Sequence, residues 1–207
     1  MKTHLACLLV AFAILAVPDL AHACGNGAIQ FADDFKTPDA GWSHGDNVKI
    51  GKGAITLLPF MNKGATAYNA TYLFSDADVC AQIKLSDFTK PEELGGGLMF
   101  WITDLSSYFV FQIYPHGFWK FARRAGSRWI DISSGNSDAI KKGAGDVNEV
   151  EVRVSGKSGT GYVNGTKIAT ISGQVPDGGG YFGVIGESEN ERVNIWEFRD
   201  FKILKLQ

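Results

Sequence analysis

The sequence predicts an all-β fold, a two-sheet antiparallel β-sandwich, and three observations carry that expectation. Residues 24 to 207 hold more than ten short strand-like runs and no convincing amphipathic helix. Gly, Asn, Asp or Pro bounds the runs, and prolines stay out of strand centres. The stretch from Gly95 to Ile132, GGGLMFWITDLSSYFVFQIYPHGFWKFARRAGSRWIDI, is apolar on both faces of its strands, where an antiparallel sheet open to water on one side would alternate. That many short strands need two packed sheets rather than one small barrel.

The first element, residues 1–23, reads as a secretory signal peptide and not as part of the fold. Lys2 and His4 precede the apolar run LACLLVAFAILAV, Pro18 breaks it, and Ala21-His22-Ala23 supplies the small-x-small cleavage pattern. The run is short for a bilayer span. Lipidation of Cys24 is the lesser reading, because Ala21 stands where that motif has leucine. The expected destination is extracytoplasmic, periplasmic or secreted. One lysine and one aspartate fall in this segment, so the net charge stays at -2, and no basic run exceeds Arg123-Arg124. Nucleic acid and anionic membrane are therefore excluded as expected partners. Of three cysteines, Cys7 lies in the signal. Cys24 and Cys80 remain, and in an exported chain the expectation is one disulfide, with two buried thiols as the alternative.

Residues 24–207 read as a single domain without a repeat or linker. The strands, in order, are Ile29–Phe35, Val48–Ile50, Ala54–Leu58, Ala67–Tyr72, Asp78–Leu85, Gly97–Thr103, Tyr108–Tyr114, Phe118–Arg123, Trp129–Ile132, Glu149–Ser155, Thr160–Val163, Thr166–Ile171, Tyr181–Ser188 and Val193–Lys205. Gly51-Lys52-Gly53 joins the second and third. Asn164-Gly165 is the strongest hairpin signal, a two-residue type I′ turn.

Several segments carry a family resemblance. They are Phe31-Ala32-Asp33-Asp34-Phe35, Gly41-Trp42, the strand pair VKIGKGAITL, the strand opening Asp76-Ala77-Asp78-Val79 and Gly97-Leu98-Met99-Phe100-Trp101. Later ones are Ser107-Tyr108-Phe109-Val110-Phe111, His116-Gly117-Phe118-Trp119, Gly126-Ser127-Arg128-Trp129, Asn148-Glu149-Val150, Tyr162-Val163-Asn164-Gly165, Gly183-Val184 and Trp196-Glu197-Phe198-Arg199-Asp200-Phe201. Their order resembles the concanavalin A-like jelly rolls, nearest to the secreted bacterial laminin-G-like or 3-keto-disaccharide-hydrolase-like domains. The resemblance implies two curved sheets, the concave one often carrying a carbohydrate site.

On that pattern Leu98, Phe100, Phe109, Phe111, Ile113, Trp119 and Phe121 face inward. The concave face then holds Met99, Trp101, Tyr108, Val110, Gln112, Tyr114, Phe118 and Lys120. Relatives often have arginine at the place of Trp101, so this chain departs there. Flat rings suit pyranose C–H faces, and amides and charges suit hydroxyls. The expected ligand-binding residues are Trp101, Tyr108, Gln112, Tyr114 and Lys120. The competing reading packs these aromatics under a loop at 131–147.

Signals for catalysis are weak. Glycoside hydrolysis needs two carboxylates at one bond, and the Glu-x-Asp-x-Glu pattern of glucanases on this fold does not occur. Glu149-Val150-Glu151-Val152-Arg153 comes nearest and reads as a solvated face with a cross-strand ion pair. Glu187, Glu189 and Glu191 read as a charged turn. Beyond the signal there are two histidines, His44 and His116, without metal-ligand spacing. No cofactor is expected, save a structural calcium on Asp33 and Asp200, which the resemblance implies.

The sequence thus predicts an exported, non-catalytic β-sandwich that binds a carbohydrate or another small polar ligand on an aromatic concave face. The rivals are a 3-keto-disaccharide-hydrolase-type enzyme, using Glu187, Asp104 or His116, and a structural or adhesion module. Oligomeric state is left open.

Overall fold

The computed structural model describes residues 24–207; the expected signal segment lies outside them. The strands are β1 (Ile29–Asp33), β2 (Trp42–His44), β3 (Val48–Gly51), β4 (Ala54–Leu57), β5 (Gly64–Phe74), β6 (Ala77–Leu85), β7 (Gly96–Asp104) and β8 (Ser107–Ile113). There follow β9 (Phe118–Ala125), β10 (Arg128–Asn136), β11 (Val147–Ser155), β12 (Ser158–Val163), β13 (Thr166–Ser172), β14 (Gly180–Glu187) and β15 (Trp196–Leu204). One short 3₁₀ turn at Pro91–Glu93 is the helical element among the described residues. The all-β reading therefore holds, and β2 is the strand that it omitted.

Two antiparallel sheets form. One runs β13-β12-β11-β6-β15-β4-β3, and β1 also pairs with β15. The other runs β10-β9-β8-β7-β14-β5-β2. Strand β15 pairs β4 through Trp196–Phe198 and β1 through Phe201–Leu204, so the first and last strands of the domain are neighbours. The Asn164-Gly165 turn forms as expected, with φ of 50° and 78° at its two centres.

Period-2 alternation sends one side of each sheet inward. Ala77, Val79, Ala81 and Ile83 of β6, with Val150, Val152 and Val154 of β11, meet Leu98, Phe100, Phe109, Phe111, Phe121, Phe182 and Val184 from the other sheet. Phe111 and Phe121 stack at 4.5 Å. All seven residues expected to face inward from β7, β8 and β9 lie in this cluster. Gly96 and Gly186 are glycines for a packing reason: a Cβ at either would collide with the Trp196 ring.

A corner of the sandwich is tied by Asp33. Its Oδ1 accepts the Phe35 N–H at 2.7 Å, and its Oδ2 accepts the Asp39 N–H at 2.8 Å and the Trp42 Nε1–H at 2.9 Å. Both oxygens are thus occupied by donors, and Asp200 is exposed at a β15 bulge with φ 50°. Among the described residues no three metal-ligating side chains gather. The Asp33 carboxylate braces a loop, because the turn at 34–42 presents three N–H groups to it.

Cys24 and Cys80 form a disulfide, with Cα atoms 5.7 Å apart and a sequence separation of 56. It staples the N-terminal strap to the outer side of β6. Reduction, or Cys80→Ser, should lower stability by about 2–4 kcal/mol, measured as a fall in denaturation midpoint with and without reductant. An unchanged midpoint would show that the strap contributes nothing.

Candidate functional site

The seven-stranded sheet has a second apolar cluster on its outer side. Met99, Ile102, Tyr108, Val110, Ala122 and Ile185 form it, with Tyr68 and Tyr181 at its margin. Both faces of this sheet are apolar, as expected. The loop after β10 does not cover it, for Ile140 inserts into the core between the sheets instead.

Beside this cluster lies an open groove of about 790 Å³. Tyr108, Arg124 and Trp129 line one part, Thr66, Ile185 and Glu187 another. Trp129 is 43% exposed and meets Tyr108 edge-on at 5.7 Å, while the Arg124 guanidinium lies 5.5 Å from the Trp129 ring centre. A flat ring, half open to water and held by a tyrosine and a cation, is a ready stacking platform.

Gln112, Tyr114 and Glu187 converge over Gly95, where a Cβ would lie within 2.8, 2.9 and 2.8 Å of them. Glycine is required there by that crowding. The Gly95 N–H donates to Glu187 Oε2 at 3.2 Å, and the Glu187 N–H returns to the Gly95 carbonyl at 2.9 Å. Burial pushes the Glu187 carboxyl up, against the opposing pull of Gln112, Lys120 and the Gly95 N–H. Gln112 Nε2 nevertheless lacks a partner in hydrogen-bonding geometry. Lys120 Nζ sits 5.7 Å from the Tyr114 ring centre and 4.0 Å from Asp131 Oδ1. Burial opposes its charge, but Tyr114, Glu187 and Asp131 more than offset that and raise its pKa. Burial likewise raises the pKa values of Tyr108 and Tyr114.

Of the expected site residues, then, Gln112, Tyr114 and Lys120 share one neighbourhood and Tyr108 lines the groove. Trp101 does not join them. It is 1% exposed and belongs to the core between the sheets, packed on Phe100 at 5.0 Å and Phe109 at 5.1 Å. Its φ of 49° is left-handed, and the β7–β8 register breaks between Phe100 and Asp104. This bulge lets two consecutive residues, Phe100 and Trp101, face the same side and hands the outer position to Ile102. Strict alternation placed Trp101 outside and is corrected.

One residue of the groove, Trp129, escapes the sequence reading, which takes it as strand and not as ligand surface; Glu187 enters that reading only as a loop-borne candidate of the rival enzyme. Glu187 was put in a charged turn but ends β14, where Tyr181, Ile185 and Glu187 alternate with the core residues Phe182 and Val184. That alternation was the available signal. Glu189, by contrast, accepts the backbone N–H groups of Thr89 and Lys90 and is a loop brace. Asp104 caps the β7–β8 turn through Ser106, and His116 reaches the Pro91 carbonyl at 3.1 Å and stacks on Phe118.

Glu151 also departs from expectation. The cross-strand ion pair exists, but Glu151 is 1% exposed and not solvated. Arg153 reaches Glu151 Oε1 at 2.5 Å and Asp78 Oδ2 at 3.2 Å. The remaining oxygens, Glu151 Oε2 and Asp78 Oδ1, are buried without partners. Burial, with Asp78 next, pushes Glu151 up to about 8. Gly25 packs against this pair, and the Cys24 N–H donates to Glu149 Oε1 at 2.5 Å.

Several solved structures share this architecture at low sequence identity. The carbohydrate-binding module CBM66 from Bacillus subtilis aligns over 80% of this chain and 96% of its own, with TM-score 0.65 and 12% identity. The laminarinase catalytic domain from Thermotoga maritima aligns over 88% and 100%, with TM-score 0.64 and 8% identity. The exoplasmic/lumenal domain of VIP36, solved with Ca²⁺ and Man3GlcNAc, aligns over 80% and 85%, with TM-score 0.62 and 13% identity. The fold is therefore the concanavalin A-like jelly roll. No family model and no curated protein matches the chain in sequence.

Two outcomes follow from these placements. Trp101→Ala empties a core site and should cost about 3–5 kcal/mol, whereas Trp129→Ala should leave the melting temperature nearly unchanged; calorimetry separates the two. The native state holds the Glu151 proton between pH 4.5 and about 8 while the unfolded chain does not, so stability should fall as pH rises through that window. Glu151→Gln, which mimics the protonated acid, should flatten the fall, and denaturation curves at pH 5 and pH 8.5 read it directly.

Proposed function

We propose that this protein is an exported, non-catalytic carbohydrate-binding jelly roll, whose ligand lies in the groove on the outer face of the seven-stranded sheet. One observation carries the proposal: the half-exposed Trp129 ring, set edge-on to Tyr108 and flanked by Arg124, at the rim of an open groove of about 790 Å³. The sugar stacks on Trp129, and Arg124, Thr66 and Glu187 meet its hydroxyls. Gln112, Tyr114 and Lys120 stand behind Glu187. The likeness to a carbohydrate-binding module and to a lectin domain co-crystallised with an oligosaccharide supports this reading. Export is supported by the disulfide and by the signal pattern at 1–23. No helix among the described residues is long and apolar enough to cross a membrane.

A second reading has its own observation. Glu187 is a buried carboxyl with a raised pKa at the groove, the condition of a general acid. Glycoside processing would then run through it, and the laminarinase likeness fits that role.

A glycan array of residues 24–207 beside Trp129→Ala and Glu187→Gln separates the readings. Binding lost in Trp129→Ala and kept in Glu187→Gln supports the binding module. Product released by the native chain but not by Glu187→Gln establishes the enzyme. Silence from every variant overturns both.

A further inference from the structure

At one end of the sandwich, on the inner side of β7, β8 and β9, three features coincide. The first is an arginine at a core-facing position. Ile113, Phe111 and Phe109 of β8 pair with Trp119, Phe121 and Arg123 of β9, and directly paired residues share a face. Trp119 and Phe121 enter the core, so Arg123 follows them inward, with its guanidinium 5.3 Å from the Phe109 ring centre. Its Nε is buried without a partner, and it makes no ion pair among the described residues. The side chain as a whole is half-buried, so its guanidinium has a buried edge and no counter-charge beside it.

The second is Trp101. Its ring meets the same Phe109 at 5.1 Å, and its Nε1–H is buried without a partner. The left-handed φ of 49° that brings it there strains a bulky residue. The third is space. Trp101, Phe109 and Arg123 border an open pocket of about 200 Å³, lined also by Thr103, Ser107 and the 174–177 segment. Asp177 lies at that pocket too, yet stays beyond ion-pair distance of Arg123.

We propose that this pocket binds a carboxylate, which accepts from the Arg123 guanidinium and the Trp101 indole N–H while its carbon lies against Phe109. Both orphaned groups are donors and nothing but a donor, so the ligand must supply acceptors, and the guanidinium fork matches the two oxygens of a planar carboxylate. The hydroxyls of Thr103 and Ser107 border the remaining space for a polar substituent. The carboxylate belongs either to a free small acid or to a uronic acid sugar.

Nuclear magnetic resonance on the ¹⁵N-labelled chain tests this. The five tryptophans give five indole signals, and Trp101→Phe identifies the relevant one by its loss. Acetate and D-glucuronate, each added at constant ionic strength, should move that signal saturably. Saturation at lower glucuronate than acetate assigns the sugar-borne acid, and the reverse assigns the free acid. Arg123→Gln should weaken binding at least tenfold, the loss expected for one charge-assisted pair. Because it also removes an uncompensated charge, it should melt no lower than the parent without ligand. Arg123→Lys keeps the charge without the fork and should fall between them. A drift that never saturates, or equal affinity in Arg123→Gln, overturns the proposal. Tighter binding of sulfate than of either carboxylate overturns the choice of ligand.

Discussion

Phe100, Phe109, Phe111, Phe121, Phe182 and Phe198 fill the space between the sheets, all within a few per cent of complete burial. A sandwich interior is about 10 Å thick and packed as densely as a crystal. Rings of that size fix the strand register wherever they occur, because a one-residue slip would turn them all to water. The positions of Trp101 and Arg123 follow from that register. Arg123 faces inward because Phe121 must, and Trp101 faces inward because a bulge adds a ring where the layer has room for it.

The same constraint explains the outer groove. Once β7, β8, β9 and β14 commit their phenylalanines to the core, the alternate residues are left on the other side. There Met99, Val110, Ala122 and Ile185 make a dry floor, and the larger Tyr108, Arg124 and Trp129 stand around it. Of that floor, Ile185 reaches the groove. At the rim, rings and charges meet water.

Charged groups in this molecule are seldom idle where they are buried. Asp33 holds a corner through three N–H donors, Glu189 pins the segment at Thr89 and Lys90, and Arg153 spans Asp78 and Glu151 beneath the N-terminal strap. Against that background, Glu187 beside an unpartnered Gln112 amide, and Arg123 without an ion pair among the described residues, stand out as groups that the fold itself does not satisfy. Unmet polar groups at a groove and at a pocket are where a ligand contributes most.

Every strand but β2, the two-sheet class, the Asn164-Gly165 hairpin, the disulfide partners and the inward set on β7 to β9 were legible in the amino-acid order. Each depends on local chemistry or on period-2 alternation, which a linear chain displays. The site was legible only in part. Tyr108, Gln112, Tyr114 and Lys120 kept the face that alternation assigned them, because β8 and the first half of β9 carry no bulge. Trp101 changed face because a single left-handed residue breaks the count, and nothing in the neighbouring residue types announces it. Trp129 and Glu187 both line the groove because β10 and β14 lie on either side of β7, β8 and β9 in one sheet, a juxtaposition set by strand order across long sequence separations. Residue types and periodicity dictated what the chain buries; the packing of one sheet on the other decided which buried or half-buried groups were left for a ligand.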